Sequence, residues 1–443
     1  MSAVFLLLLQ IFFLLPVGIF ADDSLNDEEE PVSASRPPAI QQAKSALVYN
    51  FENDAVLYEY HATERLYPTS TVKLMTAIVA YEKLSDNLNR QITVTREMLN
   101  EVAGNNIGLM EGEIVTVEQM LSVLLVNSAN DAAIVLAYAA YGGLEAFVEQ
   151  MNDKAAWLGA YDTYYANPTG MHNDAMVTTA KDTAIIAKYA YSIPLFIEIT
   201  STPKYVMEAT NMSDYRNIYN RNCLISKYYN TSYYYDKAIG MNAGSTNQGG
   251  YCIAAVAEDP AAGLTYLVVV MGADGEDGTI YSYINAIELF DWAFASYGYM
   301  EVLSANKFVC ELDVALSSTL DYVTLVPERS IEVYLPTDID PETDIRYSYN
   351  TYEDSLDAPV KKGQTAGTIT VLYGDEILGS CGLVTTSDIA RSEFLYFLAR
   401  VRAFTESRFF RATVISVVVL SVLYVFIKAG YRERKLRSRY TRR

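Results

Sequence analysis

At 443 residues with a formal net charge of −21, the chain has length for about two or three domains and a sizeable core. Its acidity argues against nucleic acid or an anionic lipid surface as the partner of its main body. Four cysteines without C-x-x-C spacing and only two histidines give no metal-ligand pattern, so no metal and no other cofactor is expected.

Residues 3–21 are apolar apart from Gln10, with Pro16 and Gly18 late in the run and Ala21 just before Asp22-Asp23. This reads as a secretory signal, residues 1–21; an uncleaved anchor is the alternative, since no Lys or Arg precedes the run. Residues 22–42 are acidic, then Ser- and Pro-bearing, and read as a flexible leader. Residues 45–50 and 55–60 alternate around Glu52-Asn53-Asp54, which signals a hairpin. Tyr67-Pro68-Thr69-Ser70 then turns into an apolar helix running to about Leu84, with Val72, Leu74, Met75, Ala77, Ile78, Val79 and Tyr81 around most of its circumference. Such a helix is a buried central one.

Ser70 sits at the edge of that helix, where unpaired amides and the dipole favour developing negative charge. Lys73 follows one turn later on the same face. A serine hydroxyl attacks only when a neighbour takes its proton, and lysine serves as that base when desolvation lowers its pKa. The plainer alternative is a capping serine with a snorkelling lysine. S-x-x-K also occurs by chance, as Ser304-Ala305-Asn306-Lys307 shows in a polar connection with no buried helix after it.

Residues 117–126 form a second apolar helix that stops at Asn127-Ser128-Ala129-Asn130-Asp131 before another helix over 132–141. A polar cluster wedged between apolar helices is expensive unless it is hydrogen-bonded or used. Ser85-Asp86-Asn87 falls at a polar helix exit and reads as a turn. After a helix over 144–158 come the turn Asn167-Pro168-Thr169-Gly170-Met171-His172 and a helix start at Thr178–Asp182. His172, alone in its turn, reads as a packing or surface residue.

Beyond Tyr234 the pattern turns to strands, at about 240–244, 251–257 and 264–271, joined by short polar turns and hence antiparallel. A helix over about 282–296 closes a domain spanning 43–300. Residues 301–390 contain strands without helices, at 308–314, 322–326, 331–335, 368–373 and 376–383, and form a separate small all-β domain. Residues 391–411 mix Phe394, Leu395, Phe397, Leu398, Val401 and Phe404 with arginines, and read as an amphipathic stem or as an extension of the apolar run over 412–427. That run is uncharged and shorter than the roughly 20 residues of a typical span, and flanking Phe409, Phe410 and basic side chains extend it. Residues 428–443 are basic, so the tail is expected in the cytoplasm and the main body outside. In that location Cys223 with Cys252 and Cys310 with Cys381 have the option of pairing; four isolated thiols are the alternative.

Ser70-x-x-Lys73, Ser128-Ala129-Asn130 and a Gly-bearing strand, in that order, resemble the penicilloyl-serine transferases. The chain is most similar to the low-molecular-mass penicillin-binding proteins that are D-alanyl-D-alanine carboxypeptidases. The similarity runs from about residue 46 to 403 and includes Leu66-Tyr67-Pro68, Asn130-Asp131-Ala132-Ala133, Asn167-Pro168-Thr169-Gly170 and Pro359-Val360-Lys361-Lys362-Gly363. The resemblance implies a serine β-lactamase-like α/β (α+β) domain, an antiparallel sheet flanked by helices, followed by the β domain and a membrane-spanning helix that anchors it to a bacterial cell membrane. It implies that Ser70 attacks the peptide bond between two D-alanines of a peptidoglycan stem peptide with Lys73 as base. Ser128 relays a proton, Asn130 holds the substrate amide, the amides of Ser70 and Ser245 form the oxyanion hole, and β-lactam antibiotics are trapped as acyl-enzymes.

The chain departs from the family where Lys-Thr-Gly is replaced by Asn242-Ala243-Gly244. Gly244 keeps the close backbone approach, while the cation and the threonine hydroxyl are gone. A charged hydrogen bond is worth roughly 1.5–3 kcal/mol, so its uncompensated loss implies about a 10- to 100-fold fall in kcat/KM. Asn242, Ser245 and Thr246 remain as neutral donors, and Lys237 belongs to the other strand face. Two functions follow as expectations: an active carboxypeptidase with an altered carboxylate subsite, or a weakly active or inactive wall-binding protein of the same fold. A β-lactamase is a third, disfavoured because no distinctive carboxylate is present to activate a deacylating water.

Overall fold

The computed structural model describes residues 36–276 and 278–440. The expected signal and most of the expected leader lie outside the described residues. The first domain is built on a five-stranded sheet in the order Ala55–Tyr60, Ser45–Asn50, Leu264–Ala273, Gly250–Asp259, Ala238–Thr246, every pair antiparallel. The strand Leu264–Ala273 is buried along its whole length, as expected where helices cover both faces of a sheet and remove the usual polar alternation. Alternate side chains enter two different cores. Val48, Ile253, Val268 and Val270 pack against Leu289, Phe290 and Ala293 of the helix Tyr281–Ser296. Leu47, Ala254, Val269 and Met271 face the larger helical layer, built from Val72–Leu84, Val117–Asn127, Asn130–Tyr141, Leu144–Leu158 and Ala180–Tyr191.

Val72–Leu84 lies in the middle of that layer, buried from Val72 through Ala80, with Lys73 and Thr76 enclosed among the apolar side chains. Ser70 belongs to a 3-10 turn, Thr69–Thr71, that precedes the α-helix instead of to its first turn. The helix Val117–Asn127 starts at a capping box, Thr116 with Gln119, and ends where Ser128 turns left-handed.

Between the helix Ala180–Tyr191 and the edge strand lie elements that the sequence pattern does not announce: the short helix Pro194–Thr200 and the hairpin Lys204–Met207 with Arg216–Tyr219. The hairpin is pinned by Arg216, whose Nη1 and Nη2 donate to the two carboxylate oxygens of fully buried Glu113 at 2.6 and 3.1 Å. Thr210 Oγ1 and Met110 N also donate to Glu113. Arg216→Met is expected to strand this carboxylate and to lower stability by about 3–5 kcal/mol. A urea midpoint that falls at unchanged m would show it, and an unchanged midpoint would refute it.

The second domain carries a six-stranded sheet in the order Ile345–Thr351, Thr365–Tyr373, Glu376–Thr385, Tyr322–Pro327, Cys310–Ala315, Ser355–Asp357. A two-stranded sheet, Tyr297–Leu303 with Ile331–Pro336, joins it. The strand Tyr297–Leu303 follows directly on the helix Tyr281–Ser296 and so crosses the expected division at residue 300. Val302, Leu325, Ile369, Val371 and Leu383 fill the core of this domain.

The four cysteines are free thiols, so neither of the two pairings open in the sequence is present. The helix Glu393–Glu406 is separated at extended Ser407 from Arg408–Tyr440. Within the latter, Arg408–Arg432 has mean hydropathy 2.3 over its most apolar stretch and is long and apolar enough to cross a membrane.

Candidate active site

A cleft of about 730 Å³ opens along the free edge of the strand Ala238–Thr246, against the N-terminal end of the central helix. Seven of the eight site residues expected from sequence line it: Ser70, Lys73, Ser128, Asn130, Gly244, Ser245 and Thr246. Asn242 does not. It pairs in register with Ala254, on the sheet face turned to the helical layer, and is 2% exposed with Oδ1 lacking a protein partner among the described residues. Position 242 thus lies two residues along the strand from Gly244, on the same sheet face that meets Ser70, buried and outside the cleft lining.

Ser70 is held by an unusual backbone. Thr69 has φ +51°, an outlier for a β-branched residue, of the sort that surrounding structure must impose. Gly170 explains part of that imposition: a Cβ there would lie 2.0 Å from the Thr69 carbonyl oxygen, and its own φ is +77°. The edge strand closes from the other side, since a Cβ on Gly244 would lie 2.4 Å from Ser70 Oγ. Glycine at 170 and 244 therefore lets two backbones touch the turn that carries Ser70.

Lys73 is 2% exposed and donates Nζ to the Thr169 carbonyl. Thr76 Oγ1 donates to the Pro168 carbonyl at 2.7 Å, so the loop Asn167–Gly170 is fastened to the central helix by both. Asn167 Oδ1 in turn accepts from the Thr169 and Gly170 amides. Burial first, and the charge of Arg221 second, bring the Lys73 pKa down to about 7. A lysine so placed spends much of its time as a free amine at neutral pH.

Ser128 ends one helix in the left-handed region, φ +58°, and Asn130 begins the next after extended Ala129. This break turns both side chains to the cleft, where Ser128 Oγ and Asn130 Oδ1 are buried without a protein partner among the described residues. Asn130 Nδ2 donates to the Ala103 carbonyl at 2.6 Å, which leaves its Oδ1 as the free acceptor. Buried Asp131 accepts from the Ile107 and Leu109 amides; burial pushes its carboxyl up, against these hydrogen bonds.

Sequence reasoning passed over two cleft residues. Asn105 Nδ2 donates to the Asn127 and Ser128 carbonyls at 2.8 and 3.1 Å, bracing the Ser128 turn. Arg221 lines the cleft from the loop after the hairpin. Neither stands at a spacing that would single it out. His172 also lines the cleft, its ring edge-on to Tyr67 and its Nε2 3.0 Å from Asp174. Lys237 is engaged by Asp259 at 2.8 Å, apart from the cleft. Ser304 and Lys307 lie in the β domain, with Lys307 over the Tyr347 ring. Among the described residues no cluster of His, Cys, Asp and Glu suits a metal ion.

Comparison with solved structures places this architecture in a class. Penicillin-binding protein 5 from Haemophilus influenzae matches with TM-score 0.57 at 24% identity, over 80% of this chain and 99% of that one. A D-alanyl-D-alanine carboxypeptidase from Mycobacterium tuberculosis matches with TM-score 0.53 at 29% identity, over 59% of this chain and 95% of that one. The fold is that of the penicillin-binding proteins, an α/β domain followed by a β domain. Within that class the chain belongs to the D-alanyl-D-alanine carboxypeptidase family, whose model matches residues 31–275. It is accordingly a serine-type carboxypeptidase. The model for the C-terminal domain of penicillin-binding protein 5 matches residues 297–391. Among relatives, DacF of Bacillus subtilis is 28% identical over 81% of this chain and 89% of its own length. DacB2 of Mycobacterium tuberculosis is 34% identical over 52% of this chain and 74% of its own length.

Proposed function

We propose that Ser70 is the nucleophile, Lys73 its base, and the terminal D-alanyl-D-alanine of peptidoglycan stem peptides the substrate. Ser70 Oγ attacks the carbonyl carbon of the penultimate D-alanine and gives its proton to neutral Lys73. The amides of Ser70 and Ser245 hold the oxyanion, as developing charge in such a site requires. The carbon–nitrogen bond then breaks, the departing D-alanine amine takes a proton through Ser128, and the acyl group remains on Ser70 as an ester. Water hydrolyses this ester and restores the hydroxyl. Asn130 Oδ1, free on the cleft side, accepts the substrate's amide N–H. A β-lactam opens on Ser70 in the same way and stays there as the ester.

The observation that carries this reading is Lys73: an enclosed amine, poised near neutrality, one turn from a hydroxyl in the cleft. The base must be unprotonated, so kcat/KM is expected to rise as pH increases through about 7 and then to level. Lys73→Arg, which cannot release its proton, removes the rising limb along with nearly all activity. A flat profile between about pH 5.5 and 8.5 in the wild type would overturn Lys73 as base. Linkage fixes a companion effect: the folded Lys73 binds its proton less readily than an unfolded lysine, so the native state gains stability as pH climbs from about 7 toward the usual lysine range.

The helix over Arg408–Arg432 crosses the cell membrane, the basic tail stays in the cytoplasm by the positive-inside rule, and both folded domains lie outside. The β domain is the spacer between the cleft and the bilayer. Protease added to intact spheroplasts should shave the catalytic domain and spare a tag on residue 443; the reverse pattern would refute this orientation.

A further inference from the structure

We infer that Asp131 is a positioning residue of the reaction: its carboxylate fixes the loop over residues 103–109 against the rim of the cleft, and that loop fixes the side-chain amide of Asn130. The inference rests on the proposed carboxypeptidase reading, in which Asn130 Oδ1 accepts the substrate's amide N–H.

An asparagine side chain keeps nearly the same shape when its oxygen and nitrogen exchange places, so a site that needs the oxygen must hold the nitrogen. Here the loop does so. Asn130 Nδ2 donates to the Ala103 carbonyl at 2.6 Å, and the Gly104 backbone passes so close that a Cβ there would lie 2.9 Å from Nδ2. The Asn130 backbone amide donates to the Asn105 carbonyl at 2.7 Å. These partners all belong to the loop and none to the helix that carries Asn130, so the orientation of the amide follows the position of the loop.

The loop has no regular structure of its own between the helix Arg96–Asn100 and the strand Ile114–Thr116. Asp131 gives it a register. Its Oδ2 accepts from the Ile107 and Leu109 amides at 3.0 and 3.3 Å, while Oδ1 accepts from the Ala132 amide at 2.9 Å. Gly108, at φ +74°, makes the turn that brings both loop amides onto one oxygen. Glu113, farther along the same segment, has Arg216 as its partner; Asp131, 1% exposed, is held by backbone amides. The first turn of its helix favours the charge, while burial opposes it and pushes the carboxyl up. What the carboxylate adds is the placement of Ala103 and Gly104 against Asn130. Asn105 separately ties the loop to the Ser128 turn, so changing Asp131 should shift the loop instead of releasing it.

The test is a double-mutant cycle in the full-length chain in detergent. Its readouts are D-alanine release and the second-order rate of labelling by a fluorescent penicillin, a single-turnover reaction that slow variants still show. Asp131→Asn keeps the shape, and its single oxygen cannot serve both the loop and Ala132. Both rates should fall about 10- to 100-fold in the wild-type background. With Asn130→Ala already present the fall should be less than about 3-fold, because the amide that Asp131 positions is gone. A merely structural aspartate would cost the same in both backgrounds. Losses that agree within about 3-fold, including no loss in either, overturn the inference. If Asp131→Asn melts below the assay temperature, Gly108→Val runs the same cycle under the same criterion: a Cβ there meets nothing within 4 Å, and a β-branched residue resists that backbone, so only the loop is disturbed. A wild type that neither releases D-alanine nor is labelled overturns the carboxypeptidase reading, and Asp131 with it; an active wild type in which the two losses agree overturns Asp131 alone.

Discussion

Ser70→Ala is expected to leave the fold intact and to lower D-alanine release by on the order of 10⁴-fold or more. The substitution deletes one oxygen from a half-buried side chain whose hydroxyl makes no hydrogen bond within the described protein, so stability should change by less than about 0.5 kcal/mol. Chemistry has no such tolerance. With the oxygen gone, Lys73 has no proton to take and no ester can form, and what is left is the activation of a water by an oxyanion site. The measurement is D-alanine released from a stem pentapeptide, beside labelling of the same preparations with a fluorescent penicillin. Both signals should vanish in the variant while its melting curve overlays that of the wild type. Release that survived Ser70→Ala would mean that another group attacks, and would remove the basis for every role assigned around the central helix. The same variant separates catalysis from a wall-binding role: a cellular phenotype that persisted with the alanine protein would belong to binding alone.

What the sequence discloses of this molecule depends on how local the cause is. Val72 through Ala80 carry their burial in their own composition, and alternation around Glu52-Asn53-Asp54 marks the first hairpin, because helix and strand periodicities are written within a few residues. The Thr69–Thr71 turn is not written there. Gly170 lies against its left-handed Thr69 and Gly244 against Ser70, both from remote parts of the chain, and threonine would not choose that backbone alone. Pro194–Thr200 and the hairpin Lys204–Met207/Arg216–Tyr219 are too short to write a clear period, and the hairpin is pinned in addition by a buried ion pair from Arg216 to Glu113, remote in the chain. The strand Tyr297–Leu303 runs straight out of a helix without a turn residue between them. In the site, Ser70, Lys73, Ser128 and Asn130 are legible because helical spacing and a polar break in apolar sequence make them conspicuous. The direction of the Lys73 shift follows from that burial, whereas the contribution of Arg221 requires the fold, which brings the loop after the hairpin to the mouth of the cleft.

Gly244→Ala should be nearly as damaging to catalysis as loss of the nucleophile's partners, and for a reason confined to one methyl group. The added Cβ would lie 2.4 Å from Ser70 Oγ and 2.5 Å from Ser70 Cβ, well inside contact distance. Backbone conformation does not enter, since the φ of Gly244 lies outside the left-handed region. The clash is relieved only if Ser70 swings out of its rotamer or the edge strand withdraws. The first moves the attacking oxygen and the second moves the Ser245 amide, so either one spoils the geometry on which attack and oxyanion stabilisation jointly depend. A displacement of about 1 Å costs roughly 10²-fold in well-oriented reactions, and a lost oxyanion donor roughly 10²–10³-fold. A fall of about 10²–10³-fold in kcat/KM is therefore expected, together with a destabilisation of only about 1–3 kcal/mol from overpacking. Gly143→Ala is the control: a Cβ there meets nothing within 4 Å, and it should leave activity unchanged. Full activity in Gly244→Ala would mean that the strand does not approach Ser70 during turnover, and Ser245 could not then supply the oxyanion amide; a collapse in kcat/KM with a nearly unaltered melting curve would locate the whole effect in the close approach between that strand and the serine.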